Sequence, residues 1–122
     1  MILADTSVWV DYFRHRPPRF HQYLRDREIM THPLVVGELA CGALKSRPAV
    51  LAKLQALPIA HCAEHREAMS LVEQHRLFGK GLGWVDVHLL ASARLSKCQL
   101  WTLDTALNSA AARLDVAYSY SN

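Results

Sequence analysis

The chain has 122 residues, 51% of them hydrophobic and 20% charged, with a formal net charge of +3 and a pI near 8.9. That length suits one domain over residues 1–122 with a core of its own, and the balance is ordinary for a soluble globular protein. No apolar run approaches the roughly 20 residues of a membrane span, and the start lacks a secretory signal's basic region and cleavage site, so a cytoplasmic protein is expected.

Ile2-Leu3-Ala4 is continuously apolar, as suits a strand covered on both faces, and it stops at Asp5. Thr6 and Ser7 carry hydroxyls able to cap a helix, and Val8, Trp9, Val10, Tyr12 and Phe13 predict a short amphipathic helix over 8–14. Pro17-Pro18 interrupts it. Residues 19–25 can start another helix, since proline is tolerated in a first turn but not inside a helix. Glu28-Ile29-Met30 is a weak second strand. Thr31, with Pro33 close behind, reads as the cap of a helix running through Leu34, Val35, Leu39, Cys41 and Leu44, and this helix carries Glu38.

Pro48 opens a further helix with Val50, Leu51, Leu54 and Leu57 at helical spacing. Leu57-Pro58-Ile59 ends it and leaves room for a very short strand at best. Residues 63–77 form an amphipathic helix. Gly79-Lys80-Gly81-Leu82-Gly83 is a connection of the kind used for unusual backbone angles or close approach to a ligand. A helix over 84–97 leads to a strand over 99–103, which ends at Asp104; a helix over 105–114 and a last strand over 116–118 complete the chain. Strands separated by helices imply βαβ units, hence a three-layer α/β/α domain with a central parallel sheet.

Right-handed crossovers send the carboxyl ends of parallel strands to one edge, so Asp5 and Asp104 meet there. Glu38 and Asp86 lie in the first halves of their helices among apolar neighbours. An acid in core-facing company must be paired, protonated or metal-bound. Taken singly, Asp5 or Asp104 could merely cap a helix, and Asp86 could merely favour a helix dipole. Taken together they lack a matching set of bases, because Lys80 or Arg94 could pair with one acid and not with all. Clustered carboxylates without His or Cys suit a hard cation, Mg²⁺ or Mn²⁺, which activates water and neutralises an in-line phosphoryl transition state. Thr6 or Ser7 could add a hydroxyl to its shell. The chemistry favoured is phosphodiester hydrolysis.

Arg14, Arg16, Arg19, Arg25 and Arg27 cluster near the start, where solvated helix faces and an RNA-facing patch explain them equally well. Cys41, Cys62 and Cys98 are odd in number and scattered, and read as small core residues rather than a disulfide set. His61 and His65 could hold zinc with Cys62 if they shared a helix face, but no fourth ligand has suitable spacing. His88 points away from Asp86 on a helix and reads as a packing or surface residue. Trp101 belongs to the core; Trp84, beside the glycine loop, is the aromatic best placed to touch substrate or partner.

With these residues in place, the sequence resembles a PIN-domain ribonuclease, specifically a VapC-type toxin of a bacterial toxin–antitoxin pair. The segments that carry the resemblance are Ile-Leu-Ala-Asp5-Thr-Ser-Val-Trp, Val36-Gly-Glu38-Leu-Ala-Cys-Gly, Gly83-Trp-Val-Asp86-Val-His-Leu-Leu-Ala-Ser-Ala and Leu100-Trp-Thr102-Leu-Asp104. The resemblance implies that Asp5, Glu38, Asp86 and Asp104 are the catalytic, metal-binding acids, with Ser7 or Thr6 assisting; Thr102 is a further supporting candidate, and Trp84, Lys80 and Arg94 are candidate substrate or partner contacts by position and charge. It also implies an endoribonuclease dependent on Mg²⁺ or Mn²⁺, an RNA substrate, a homodimer and a cognate VapB-type antitoxin. Many members carry Arg after the threonine of the last segment, where this chain has Leu103. The alternative is a catalytically silent PIN-type module that binds RNA or protein. Phosphotransfer proteins on related sheets fit poorly: a receiver domain needs paired acids near the first strand, and a haloacid-dehalogenase phosphatase needs Asp where Ser7 stands.

Overall fold

The computed structural model describes residues 1–120, so the last two positions of the expected 1–122 domain lie outside the described residues. Strands β1 (Ile2–Ala4), β2 (Ile29–Met30) and β3 (Gln99–Trp101) run parallel in the order β2-β1-β3. In register, Leu3 lies opposite Met30 on one side and Leu100 on the other. All three residues of β1 are buried, as the continuous apolar run requires of a central strand covered on both faces.

Among the described residues seven helices surround this sheet: α1 (Thr6–His15), α2 (Pro18–Arg25), α3 (Pro33–Ala40), α4 (Arg47–Gln55), α5 (His65–His75), α6 (Trp84–Ser96) and α7 (Thr105–Arg113). They pack in two groups, α1 on α3 and α3 on α4, and α5 on α6 and α6 on α7. Right-handed crossovers place the two groups on opposite faces: the chain first winds outward past β2, then returns across β1 to β3. This is the α/β architecture expected. Leu3, Ile29, Val35, Leu90, Leu100 and Leu107 are fully buried where helices meet sheet. No helix among the described residues is long and apolar enough to cross a membrane.

Several boundaries differ from expectation. The very short strand near Ile59 and the last strand over 116–118 reduce to single parallel bridges, Thr31 with Ile59 and Leu100 with Ala117. The helix expected to run through Leu44 stops at Ala40, with Cys41 as its C-cap. Asp5, rather than Thr6 or Ser7, is the N-cap of α1. Cys41 and Cys62 are exposed, and only Cys98 is a core residue. His61 precedes α5, so His61 and His65 share no helix face.

The cap of α3 is His32 rather than Thr31, whose backbone is committed to the bridge with Ile59. His32 Nδ1 accepts the Leu34 N–H at 3.0 Å, so the ring proton of the neutral form sits on Nε2. Burial, and secondarily the neighbouring His88, push the His32 pKa below its ordinary 6.5. The unfolded chain therefore binds the proton more readily than the fold does. The stability this confers is complete above about pH 6.5 and is lost as pH falls toward the lower folded value. Burial also lowers the pKa of His88, so both rings act in the same direction. His32→Asn keeps a capping acceptor and removes one ionisation. The urea concentration at which the wild type unfolds should fall on acidification below about pH 6.5, and that of His32→Asn should fall less. Equal slopes would remove His32 from the account.

Candidate active site: four acids at the carboxyl edge of the sheet

Asp5 leaves β1 in extended conformation (φ −81°, ψ 178°), and its N–H donates to the Trp101 carbonyl at 3.0 Å. Its buried carboxylate is held by three donors. Oδ1 accepts from Ser7 Oγ at 2.6 Å and from the Val8 N–H at 3.1 Å, and Oδ2 accepts from Thr102 Oγ1. The two hydroxyls are themselves anchored, Ser7 Oγ by the Leu103 N–H at 2.9 Å and Thr102 Oγ1 by the Asp104 N–H at 3.0 Å. The start of α1 is thus laced to the loop after β3. Asp104 caps α7 by accepting the Leu107 N–H at 2.9 Å. Capping and proximity to Asp5 are properties of one and the same residue.

Glu38 reaches this edge from α3, where Thr6 Oγ1 donates to Glu38 Oε1 at 2.6 Å. Asp86 comes from the first turn of α6 and accepts the Gly83 N–H on Oδ2 at 2.9 Å. The glycine loop makes that approach possible. Gly79 (φ 69°) and Gly81 (φ 79°) take left-handed angles, and a Cβ on Gly81 would lie 3.8 Å from Ala106 Cβ, which sets the loop against the first turn of α7.

The Asp86 pKa is raised, first by burial and then by the negative charges of Asp104, Asp5 and Glu38, while the Gly83 N–H pulls it the other way. All three other acids therefore lie within electrostatic reach of Asp86. Asp5 is buried, Asp86 is half-buried, and Glu38 and Asp104 are exposed. The expectation that Glu38 is core-facing is corrected: α3 turns Val35 and Leu39 inward and leaves Glu38 at the rim. Among the described residues the only ion pair joins His15 to Asp11, so none of the four acids has a basic partner. Nor do any three His, Cys, Asp or Glu side chains among the described residues close on a common point able to hold an ion by themselves.

Because its folded pKa is raised, ionised Asp86 destabilises the metal-free fold. Stability is greatest with this group protonated and falls as pH rises through the raised value. Asp86→Asn retains an acceptor for the Gly83 N–H and removes the charge. Without divalent ions its melting temperature at pH 7 should exceed that of wild type by about 3 °C, with the difference shrinking toward pH 4. A variant less stable than wild type at neutral pH would show that neither burial nor the neighbouring charges disfavour ionised Asp86.

The remaining candidates are placed differently. Lys80 is exposed in the glycine loop and forms no ion pair among the described residues. Trp84 is exposed and packs on His88 (ring centroids 4.7 Å apart) and His65 (5.2 Å). Arg94 is not brought to the acids. It lies about 12 Å along α6 from Asp86, in a crevice with Arg66 and Gln74, and contacts His75 Nε2 at 2.8 Å. Trp101 is half-buried and stacked on Tyr118 at 4.4 Å. The Leu103 and Gly83 N–H groups also belong to the site, and such main-chain donors leave no mark on composition.

A family model described as PIN domain matches residues 2–113. Ribonuclease VapC32 of Mycobacterium tuberculosis is 44% identical over 118 residues, covering 96% of this chain and 95% of that protein. Among solved structures, a toxin–antitoxin complex from Klebsiella pneumoniae superposes with a TM-score of 0.66 at 21% identity, covering 86% of this chain and 88% of the other. FitAcB from Neisseria gonorrhoeae gives 0.59 at 24% identity, covering 96% and 95%. The structural likenesses carry the fold; the family model and the VapC relative, each spanning nearly the whole chain, carry the kinship. The chain belongs to the PIN domain family, in its VapC branch.

Proposed function

We propose that this protein is a divalent-metal-dependent endoribonuclease acting as the toxin of a toxin–antitoxin pair, with Asp5, Glu38, Asp86 and Asp104 as its metal-binding acids. The observation that carries the reading is that the four carboxylates share the carboxyl edge of the sheet, the other three within electrostatic reach of Asp86, with no basic partner among the described residues. The mycobacterial relative is named a ribonuclease, which agrees with that chemistry.

The donor set fits a hard cation. Every side-chain donor is oxygen, and each acid retains lone pairs: Asp5 spends three of about four on hydrogen bonds, and the others spend one each. Mg²⁺ and Mn²⁺ suit such a site, since Mg²⁺ keeps several waters and takes only one or two carboxylates directly. When bound, the ion supplies an activated water and neutralises charge on the phosphate. The chain's own part is positional. Ser7 and Thr102 hold the Asp5 carboxylate in one orientation, Thr6 holds Glu38, and the Gly83 N–H holds Asp86.

The acidic edge would also attract a basic antitoxin side chain. The Klebsiella neighbour is a toxin–antitoxin complex, in keeping with such a partner. The homodimer and the cytoplasmic location rest on the family. Incubating the purified protein with total bacterial RNA and Mn²⁺ tests the activity. Discrete cleavage products are expected, and intact RNA with retained binding would instead support the silent module.

A further inference from the structure

A groove of about 630 Å³ leads away from Thr6 and Glu38. One wall is α1: Thr6, Val10, Phe13 and Arg14 follow one another at helical spacing on the groove side. Arg14 is eight residues beyond Thr6, about 12 Å along the helix. The other wall comes from α3, α4 and the segment between them, including Leu39, Lys45 and Val50. Arg16, the left-handed C-cap of α1, also lines the groove, with its guanidinium 4.7 Å from the Tyr12 ring centroid. Arg14, Arg16 and Lys45 are exposed, and among the described residues none of them forms an ion pair.

We infer that this groove seats the single-stranded RNA flanking the scissile phosphate, with Arg14, Arg16 and Lys45 holding backbone phosphates and the apolar wall of Phe13 and Val50 receiving a base. The inference rests on the ribonuclease reading and extends it from the acids to a binding track. Charge selects the occupant. An acidic peptide would suit the cations and be repelled at the acids, whereas a basic antitoxin side chain reaches the acids alone and leaves Arg14, Arg16 and Lys45 unmatched. A polyanion whose charge at the acids is met by a divalent ion satisfies both ends. The apolar wall asks for unstacked bases, which single strands offer and duplexes do not. About 12 Å corresponds to roughly three stacked nucleotides, so Arg14 grips the strand a few residues from the cut.

The test measures binding of a fluorescein-labelled single-stranded RNA by fluorescence anisotropy, with Mg²⁺, from about 50 to 200 mM KCl. Asp5→Asn serves as the background so that the RNA stays intact. Adding Arg14→Ala, Arg16→Ala and Lys45→Ala should weaken binding about tenfold or more and reduce the slope of log K against log salt by about 2, given about 0.7 per phosphate contact on a single strand. Removing three exposed cations elsewhere (Arg66→Ala, Lys97→Ala and Arg113→Ala) should change both far less. In the otherwise wild-type chain, the groove variant should raise KM for RNA about tenfold and leave kcat within about twofold. An unchanged slope and KM, in a protein that still cuts RNA, would overturn the groove and leave it to a protein segment. A wild type that cuts no RNA would overturn the ribonuclease reading instead, and the binding arm would still decide the groove.

Discussion

Asp5→Asn leaves the protein folded and lowers RNA cleavage by about a thousandfold. The substitution keeps the size of the side chain and removes its charge. The amide oxygen can still accept from Ser7 Oγ and the Val8 N–H, so the cap of α1 survives. The amide nitrogen then faces Thr102 Oγ1, which must stop donating there and accept instead. That reversal costs about 1 kcal/mol, small beside the loss of the one buried carboxylate of the four. Asp5→Ala is the poorer experiment, because losing the cap costs about 0.5–2 kcal/mol and leaves two hydroxyls without their acceptor. Far-UV circular dichroism and the melting temperature check the fold, and resolved cleavage products check the rate. Asp5→Asn retaining more than about a tenth of wild-type cleavage would remove Asp5 from the reacting centre.

The parts of this site visible in the sequence are those that depend on periodicity alone. Two apolar runs that each end at an acid, joined by crossovers of fixed hand, bring Asp5 and Asp104 to one edge however the helices between them pack. Position on a helix was less legible. The apolar neighbours of Glu38 suggest burial, yet Val35 and Leu39 define the inward direction and Glu38 lies beside it. Arg94 is eight residues from Asp86 in sequence but two turns away in space, and bonded to His75. Thr31 has a better capping side chain than His32, but the sheet claims its backbone, so the cap moves by one residue. Least legible is the lacing of Ser7 to Leu103 and Thr102 to Asp5, which joins residues almost a whole chain apart and exists only once β1 and β3 pair.

Removal of divalent ions with EDTA should abolish cleavage, and restoring Mn²⁺ or Mg²⁺ should both return it and stabilise the fold. An ion that binds the native state alone stabilises it by about 2.7 kcal/mol at a hundredfold excess over Kd, which for a chain of this size is a rise in melting temperature of roughly 8–10 °C. The increment comes from relieving the burial, and then the neighbouring negative charges, that raise the Asp86 pKa. Among the described residues the four acids have no basic partner, and the proposed cation would offset the negative charge that the other three present to Asp86. Wild type and Asp86→Asn should therefore exchange order: the variant melts higher in EDTA, and wild type melts higher with Mn²⁺. A surface acid cluster that merely attracts ions would raise both proteins equally, and a silent module would show the thermal shift without the cleavage. If neither ion moves the wild-type melting temperature and cleavage persists in EDTA, the acids act without a metal, and the proposed chemistry is wrong. The crossing of the two melting curves isolates Asp86, because the substitution preserves its hydrogen bond to Gly83 and changes only its charge.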